Sequence, residues 1–169
     1  AIDADGDTLT FSISGSEINI NSSTGVLTFA SAPDYETKSS YSVTVTASDG
    51  TNATTQDISI AINDINESPS ITSSASFTAD ENQTSIGTVT VTDAEGDGVT
   101  FIISGSEIAI NSSTGVLTFV SAPDYETKAS YSATVTVSDG NNSATQDITV
   151  AINDVNEKPI ITSGSTYTV

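Results

Sequence analysis

The chain has 169 residues, with 22 acidic side chains against 3 basic ones, so its formal net charge is −19. Cysteine, methionine, tryptophan and histidine are all absent, which excludes thiol and histidine catalysis and zinc or copper sites built from Cys and His. The scarcity of Lys and Arg argues against nucleic-acid binding, which depends on cationic side chains.

The remaining composition predicts a folded β-protein. Only 15 % of the residues are charged, and the chain is rich in Val, Ile, Thr and Ser, several of which favour strands. No stretch approaches 18 apolar residues, so we expect no membrane span in this chain. Without cysteine there are no disulfides, which suits a cytosolic protein or an exported one that is stabilised by metal.

An internal repeat with an offset of 90 residues organises the sequence, with Pro69 and Pro159 in register. The repeat continues without insertion or deletion, which indicates a tandem array. We expect residues 1–66 to be a first repeat that lacks the segment equivalent to 71–90. A complete second repeat is expected over 67–157, and the first strand of a third repeat over 158–169. The matching segments are 3–7 with 93–97, 24–29 with 114–119, 33–36 with 123–126, and 63–67 with 153–157.

Apolar and polar residues alternate along several segments in each repeat. In the first repeat the alternation covers 41–48 and 57–62, and in the second it covers 131–138 and 147–152. This period of two predicts half-buried antiparallel strands, and turn signals such as Asp49-Gly50 separate them. The expected fold is therefore all-β, with two tandem β-sandwiches of about seven strands each.

Acidic residues cluster at the predicted strand ends. Because strand ends gather at the two poles of a sandwich, we expect the carboxylates to converge near the junctions between repeats, where their repulsion requires neutralisation. Oxygen ligands from Asp, Glu, Asn and backbone carbonyls describe a calcium site, whereas magnesium prefers to keep its waters. The clusters are Asp3, Asp5 and Asp7 with Asp93, Glu95 and Asp97; Asp34 and Glu36 with Asp124 and Glu126; Asp49 with Asp139; and 64–67 with 154–157.

These motifs together resemble cadherin repeats, and more closely the bacterial cadherin-like repeats of large secreted adhesins. The resemblance rests on the acidic clusters, Thr24–Phe29, Pro33–Glu36, Ser48-Asp-Gly50 and the linker Asn63–Glu67 followed by Pro69, each of which occurs twice. It implies Greek-key, cadherin- or immunoglobulin-like sandwiches of seven strands with Ca²⁺ bound between consecutive repeats.

Carried over by position, the resemblance implies three sets of metal ligands. At the internal junction they are Asp34, Glu36, Asp64, Asn66, Glu67, Asp93, Glu95 and Asp139, with carbonyls near Ile65 and Ser68. At the N-terminal pole of the first repeat they are Asp3, Asp5 and Asp49. At the C-terminal pole of the second repeat they are Glu81, Asp124, Glu126, Asp154, Asn156 and Glu157.

Several positions depart from this pattern or compete with it. The linker is one residue shorter and less acidic than the vertebrate pattern, and Asp7 and Asp97 either contact metal or cap a turn. An EF-hand over Asp3–Asp7 is rejected, because its sixth and twelfth positions are Thr8 and Ser14 rather than Gly and Glu. Glu17 and Glu107 are expected at solvated loop positions without a partner.

The expected function is a non-enzymatic, calcium-rigidified extender of a large bacterial adhesin, extracellular or on the cell surface, which projects a distal binding domain in cell adhesion or biofilms. The alternative is a carbohydrate-binding module attached to a polysaccharide-degrading or cell-surface protein, although Trp is absent and the repeated tyrosines have structural explanations. Neighbouring repeats are the expected partners. For residues 160–169 two alternatives are considered: a head-to-tail strand exchange between copies, or an unpaired tail.

Overall fold

The computed structural model describes residues 1–162 and divides the chain into two compact units, Ala1–Ile65 and Asn66–Val169. Every regular element among the described residues is a β-strand, so the chain is all-β as predicted. In residues 1–162 no helix is both long and apolar enough to cross a membrane.

Unit 1 contains five strands, in the alternating segments that the sequence indicates. Two long strands, β4 and β5, pair from Ser40 opposite Ala61 to Ser48 opposite Ala53, and β1 extends this sheet along the other edge of β4. Strands β2 and β3 form a separate two-stranded sheet. The strands are β1 (Thr10–Ile13), β2 (Ile18–Ile20), β3 (Leu27–Phe29), β4 (Ser40–Ser48) and β5 (Ala53–Ala61).

Unit 2 contains nine strand segments in its described part. Its sheets have the orders β10-β13-β14-β7, β11-β12-β8 and β6-β9. The segments are β6 (Ser70–Ile71), β7 (Ser76–Asp80), β8 (Ser85–Thr88), β9 (Val91–Thr92), β10 (Thr100–Ile103), β11 (Ile108–Ile110), β12 (Val116–Phe119), β13 (Ser130–Ser138) and β14 (Ser143–Asn153).

One strand pair in unit 2 is parallel. The alternating pattern predicts antiparallel pairing, which holds for β13 with β14, but β7 runs parallel to β14 from Ser76 opposite Thr149 to Asp80 opposite Asn153. The alternating segments of the sequence do not include β7, so the sequence predicts no direction for this pair. Because parallel strands end on the same side of a sheet, the residues after Asp80 and after Asn153 emerge together.

The core of unit 2 is closed, whereas that of unit 1 is more open. Leu117, Ile148 and Val150 are fully buried, but their equivalents in unit 1, Leu27, Ile58 and Ile60, are only partly buried. The difference follows from the strands present, since β7 and β8 of unit 2 pair with β14 and β12. In the described part of unit 1 no strand occupies the corresponding edges.

A close backbone approach fixes one glycine of the repeated turn in unit 2. Gly115 has a φ of +69°, and a Cβ built on it would lie 2.4 Å from the carbonyl oxygen of Val89. Only glycine fits this position, because it tolerates positive φ and has no side chain to meet the neighbouring chain. In unit 2 the turn before β12 therefore packs directly against the backbone that follows β8.

Candidate metal centres

The topology brings acidic segments together at what we call the C-terminal pole of unit 2, defined by Glu81, Glu126, Asp154 and Glu157. Glu81 follows β7 and Asp154 follows β14, and these strands are parallel neighbours. The turn that carries Glu126 precedes β13, whose first residue pairs with Ala151 near the end of β14. Three separate acidic segments therefore meet at one end of the unit.

Glu81 is the buried anchor of this pole, with only 3 % of its surface exposed. Its carboxylate accepts a hydrogen bond from the backbone N–H of Tyr125 at 2.8 Å and another from that of Val155 at 2.7 Å. A buried carboxylate is tolerated when donors satisfy its oxygens. Glu81 thereby ties the acidic turn to the segment that follows β14.

Carboxylate oxygens of Glu81, Glu126 and Asp154 all lie within 4.8 Å of one another. The largest single influence on the pKa of Glu126 is its own backbone N–H, which lowers it. Burial and the negative charges of Glu157, Glu81 and Asp154 together outweigh it, so the pKa of Glu126 is raised. A raised pKa is the signature of like charges held together, and a cation among them would relieve the repulsion.

Two further residues shape this pole, and sequence reasoning missed their roles. Asn82 adopts a φ of 63°, a left-handed conformation that Asn tolerates better than most residues, and its side-chain amide donates to Glu157 at 2.9 Å. Asn153 donates to Asp80 at 2.9 Å. The signal available in the sequence is the polar run Asp80-Glu-Asn82 directly after a strand.

The opposite end of unit 2, its N-terminal pole, is defined by Asn66, Glu67, Asp93, Glu95 and Asp139. The pairing of Ser70 with Thr92 places the segment before β6 beside the segment after β9. The pairing of Thr100 with Ser138 brings the start of β10 beside Asp139. All five residues therefore emerge at the same end of the unit.

Asn66 is fastened to this pole by three residues of the turn after β13. Its side-chain amide donates to Asp139 at 3.0 Å, its backbone carbonyl accepts from Asn142 at 2.8 Å, and its side-chain oxygen accepts from Asn141 at 3.2 Å. The backbone N–H of Asn142, then the Asn66 amide and then the backbone N–H of Asn141 lower the pKa of Asp139. The two asparagines of this turn were not anticipated from the sequence.

Glu95 faces Glu67 at the same pole. Proton sharing with Glu67 lowers the pKa of Glu95 most, while burial and the charge of Asp139 act in the opposite direction. When both carboxylates are ionised they offer each other no donor, and both carboxylate oxygens of Glu95 are buried without a hydrogen-bond donor. The Oδ2 atom of Asp93 is buried in the same condition, so three buried anionic oxygens lack a donor.

In unit 1 the predicted ligands lie in turns that resemble those of unit 2. Asp34 accepts from the backbone N–H and the hydroxyl of Thr37, and these bonds, the backbone one first, lower its pKa; Asp124 accepts the same two bonds from Thr127. Asp49 accepts from the N–H groups of Asn52 and Thr51, which lower its pKa in that order. Three further predicted ligands of this unit, Asp5, Glu36 and Asp64, are exposed.

The predicted ligand sets are distributed as follows. Asp3 and Asp49 line one pocket at an end of unit 1. Of the internal junction set, Asp34, Glu36 and Asp64 belong to unit 1, whereas Asn66, Glu67, Asp93, Glu95 and Asp139 belong to unit 2. At the other pole of unit 2, Asn156 donates to the carbonyl of Glu157, as Asn66 does to that of Glu67.

The backbone of Asp7 and of Asp97 closes a turn. The N–H of Asp7 donates to Asp3 at 3.0 Å, and that of Asp97 donates to Asp93 at 2.9 Å. These bonds hold the Asp3 and Asp93 side chains in place. Asp7 and Asp97 therefore have a structural role through their main chains.

Two pairs of acids have roles that sequence reasoning did not assign. Glu17 and Glu107 were expected without partners, which is wrong: Lys38 and Lys128 bind them at 2.6 and 2.7 Å, and each ammonium also lies 4.4 Å from the ring centroid of Tyr41 or Tyr131. Asp57 and Asp147 lie within β5 and β14, away from strand ends, and each accepts a cross-strand bond from a threonine hydroxyl at 2.7 Å.

The donor chemistry at both poles of unit 2 fits calcium. Each pole offers carboxylates, an asparagine and nearby backbone carbonyls, and such oxygen donors are those of a hard cation with flexible coordination. The orphaned oxygens of Asp93 and Glu95 support this fit, since a buried carboxylate oxygen without a donor is stabilised by a nearby cation. Nitrogen and sulfur ligands for softer metals are absent from the sequence.

Comparison with known proteins matches this chain to a bacterial Ig domain and to cadherins. Residues 66–152 match the family model described as a bacterial Ig domain. Mouse Cadherin EGF LAG seven-pass G-type receptor 2 is 29 % identical over 153 residues, covering 83 % of this chain and 5 % of the receptor. Human Cadherin-23 is 31 % identical over 153 residues, covering 82 % of this chain and 5 % of that protein.

A solved structure shows the same fold. The crystal structure of human Protocadherin-24 EC1-2, form II, superposes with a TM-score of 0.63 at 20 % identity, covering 91 % of this chain and 85 % of that one. The chain thus corresponds to a small part of its curated relatives, 5 % of their length, and nearly all of it is matched by cadherin repeats.

Proposed function

The chain belongs to the bacterial Ig domain family and is a cadherin-like repeat protein, and from this premise we propose that it is a calcium-binding extender module of a large bacterial adhesin. In this role Ca²⁺ binds at the poles of the repeats and stiffens the chain, which then holds a distal binding domain away from the cell. The role is mechanical and requires no catalysis.

The observation that carries the proposal is the state of Glu95. Both of its carboxylate oxygens are buried without a donor, and Glu67 faces it with a second carboxylate. Two such groups stay close together only when a cation lies between them or when they share a proton. A calcium ion at the N-terminal pole of unit 2 satisfies Asp93, Glu95 and Glu67 together.

The C-terminal pole of unit 2 supports a second calcium site. Glu81 is already ordered by two backbone donors, so it presents its carboxylate to Glu126 and Asp154 without further loss of side-chain freedom. Preorganised ligands of this kind raise affinity because the cost of ordering them is met by folding. We infer that this pole binds Ca²⁺ through Glu81, Glu126 and Asp154, with Asp124, Asn156 and Glu157 nearby.

Calcium would stiffen the chain by removing repulsion and fixing the linker. Asn66 is already held by Asn142 and Asp139, and an ion bound to the adjacent Glu67 would fix the next residue. We propose that Asp34, Glu36 and Asp64 of unit 1 complete this site as the internal junction, and that Asp3, Asp5 and Asp49 form the equivalent pole of unit 1. Affinities of about 10⁻⁴–10⁻³ M, typical of extracellular modules, would be matched to external calcium.

The same proposal covers the strand count of each repeat, the tandem arrangement and the cellular location. Counting β6 with β7 and β8 with β9 as interrupted strands makes unit 2 a seven-strand sandwich, which we propose has Greek-key topology. Repeats at 1–66 and 67–157, with a third beginning at 158, would then form a tandem rod. We place it outside the cell or on the bacterial surface.

A calcium titration followed by small-angle X-ray scattering tests the proposal. We expect the radius of gyration and maximum dimension of the chain to change with calcium and to saturate in the millimolar range, with magnesium at equal concentration as the control. Unchanged scattering at about 10 mM calcium, well above the affinities cited above, would refute the mechanical role. A polysaccharide pull-down in parallel addresses the carbohydrate alternative, which predicts reproducible retention that is lost when the tyrosines are substituted.

A further inference from the structure

The segment 66–69, which leads into β6, is anchored to unit 2 at both of its ends. The division between the two units falls between Ile65 and Asn66, and Ile65 is 72 % exposed. Pro69 is fully buried, and Asn66 is partly buried and hydrogen-bonded to the turn after β13. Glu67 lies between these two anchors, so its position depends on them.

The turn after β13 is shaped by local backbone bonds. The Oδ1 atom of Asp139 accepts from the backbone N–H groups of Asn141 and Asn142, both at 2.6 Å. In unit 1 the turn after β4 has the two equivalent bonds to Asp49, at 2.7 and 2.6 Å. The same turn therefore forms in both units, and what unit 2 adds is the contact of its side chains with Asn66.

Two amide side chains of this turn hold Asn66. Asn142 donates to the backbone carbonyl of Asn66 at 2.8 Å, and Asn141 donates to its Oδ1 atom at 3.2 Å. The Asn66 amide donates in turn to Asp139 at 3.0 Å and to the carbonyl of Glu67 at 2.8 Å. The main chain and the side chain of Asn66 are both engaged, which fixes the direction in which the chain enters Glu67.

The second copy of the linker motif shows what the turn contributes. Asn156 donates to the carbonyl of Glu157 at 3.3 Å, as Asn66 does to that of Glu67, yet residues 156–159 are all exposed. The bond within the linker motif is therefore not sufficient to anchor this segment. The anchoring of the first copy comes from its contacts with the turn after β13.

We propose that the amide side chains of Asn141 and Asn142 are positioning groups for the N-terminal pole of unit 2, which hold the linker so that Glu67 faces the pole before any cation binds. Neither amide needs to touch the ion, because both act through Asn66. A ligand that is already ordered binds without further loss of conformational freedom, so the affinity of this pole for Ca²⁺ is raised. The gain in affinity rests on the proposed function, whereas the anchoring of the linker does not.

Backbone ¹⁵N relaxation of the 169-residue chain in chelator tests the anchoring. In the native chain we expect residues 66–67 to be as rigid on the ps–ns timescale as the strands of unit 2, and residues 156–157 to be clearly more mobile. Asn142→Ala should make 66–67 mobile as well, whereas Asn52→Ala, the equivalent change in unit 1, should not. Unchanged rigidity in Asn142→Ala overturns the proposal.

A second variant covers the case in which Asn142→Ala does not fold. Asn141→Thr places in unit 2 the residue found at position 51, whose backbone N–H makes the same turn bond in unit 1. It removes only the bond to the Asn66 side chain, so it should loosen residues 66–67 to a smaller degree. No loosening in this variant overturns the proposal.

A calcium titration followed by chemical shifts tests the affinity. We expect Asn142→Ala to weaken the binding reported by Glu67 and Glu95 by about two- to tenfold, the loss produced by one neutral hydrogen bond, and to leave the binding reported by Glu81 and Glu126 unchanged. Equal affinity of native and variant chains at the N-terminal pole overturns the proposal, as does an equal loss at both poles. A native chain that binds no calcium refutes the proposed function and overturns the gain in affinity, and the relaxation data still decide the anchoring.

Discussion

Calcium should stabilise unit 2 through its acidic poles, and the Glu126→Gln variant separates this effect from general screening. A site with an affinity of about 10⁻⁴–10⁻³ M stabilises the folded state by about 1.4–2.7 kcal/mol at roughly 10 mM calcium, by mass action. For a unit of roughly one hundred residues, this raises Tm by about 6–20 °C per site. The expected increment is therefore large enough for calorimetry.

Glu126→Gln should act in opposite directions with and without the ion. In chelator the variant removes one of four neighbouring negative charges, so its Tm should equal or exceed that of the native chain. In calcium it lacks a ligand of the C-terminal pole, so most of one site's increment should be lost. A change of sign between the two conditions is not produced by a general loss of packing.

The matched control is Glu107→Gln, which removes the same charge from the same unit but outside the poles. Glu107 binds Lys128, so this variant should lower Tm slightly in both conditions and keep the native calcium increment. Differential scanning calorimetry in calcium, magnesium and chelator provides the comparison. Equal increments in the native chain and in Glu126→Gln would refute the assignment of ligands, and the absence of an increment in the native chain would refute the site itself.

Three further outcomes are expected. Leu117→Ala should destabilise unit 2 by about 3–5 kcal/mol because the side chain is fully buried, whereas the repeat-equivalent Leu27→Ala should cost clearly less in urea unfolding because that side chain is only partly buried; equal costs would contradict the difference in core closure. In chelator, the lowered pKa of Asp139 stabilises the folded state at pH values above the ordinary pKa of 3.8, and this stability is lost as the pH falls through the pKa of the folded state. Asp139→Asn should therefore flatten the pH dependence of Tm in acid. Lys128→Ala should destabilise unit 2 by about 1 kcal/mol or less, because its ion pair is exposed and the cation–π contact is modest; a much larger loss in thermal melts would show that the pair does more than join two loops.

The long strands and the acidic ends could be predicted because both depend on local pattern. Strands β4 and β13 and the later parts of β5 and β14 carry a period of two, which is typical of a pleated, half-buried strand. Asp124 and Glu126 lie in the turn just before β13, so their place near a strand end can also be read from neighbouring residues. These features are written in consecutive residues, so no knowledge of distant contacts is needed.

The parallel placement of β7 could not be predicted in this way. Alternation determines which face of a strand is buried but not the direction of its neighbour, and β7 and β14 are separated by more than sixty residues along the chain. That placement carries Glu81 into the C-terminal pole, where two backbone donors hold it. The resemblance to cadherin repeats supplied Glu81 as a candidate, whereas the spacing of residues did not.

Side-chain anchors were missed because short polar residues fit a solvated turn equally well. Asn141 and Asn142 look like ordinary turn residues after Asp139, yet both donate to Asn66, more than seventy residues away. The cross-strand bond between Thr134 and Asp147 is also non-local. Such roles depend on which turn faces which segment, and this is known only after the sheets have assembled.

The distribution of the few basic residues leaves the poles of unit 2 acidic. Of the three lysines in the sequence, Lys38 and Lys128 are each bound to a glutamate and placed over a tyrosine ring at equivalent positions of the two units. These two lysines therefore neutralise a glutamate outside the poles. Within each pole of unit 2, the acidic side chains lie close to one another. Within the described residues, backbone N–H groups and asparagine amides donate to these carboxylates, which orients them without cancelling their charge. If the proposed sites bind calcium, the core packs without the ion, whereas the order of the poles follows the concentration of divalent cation around the protein.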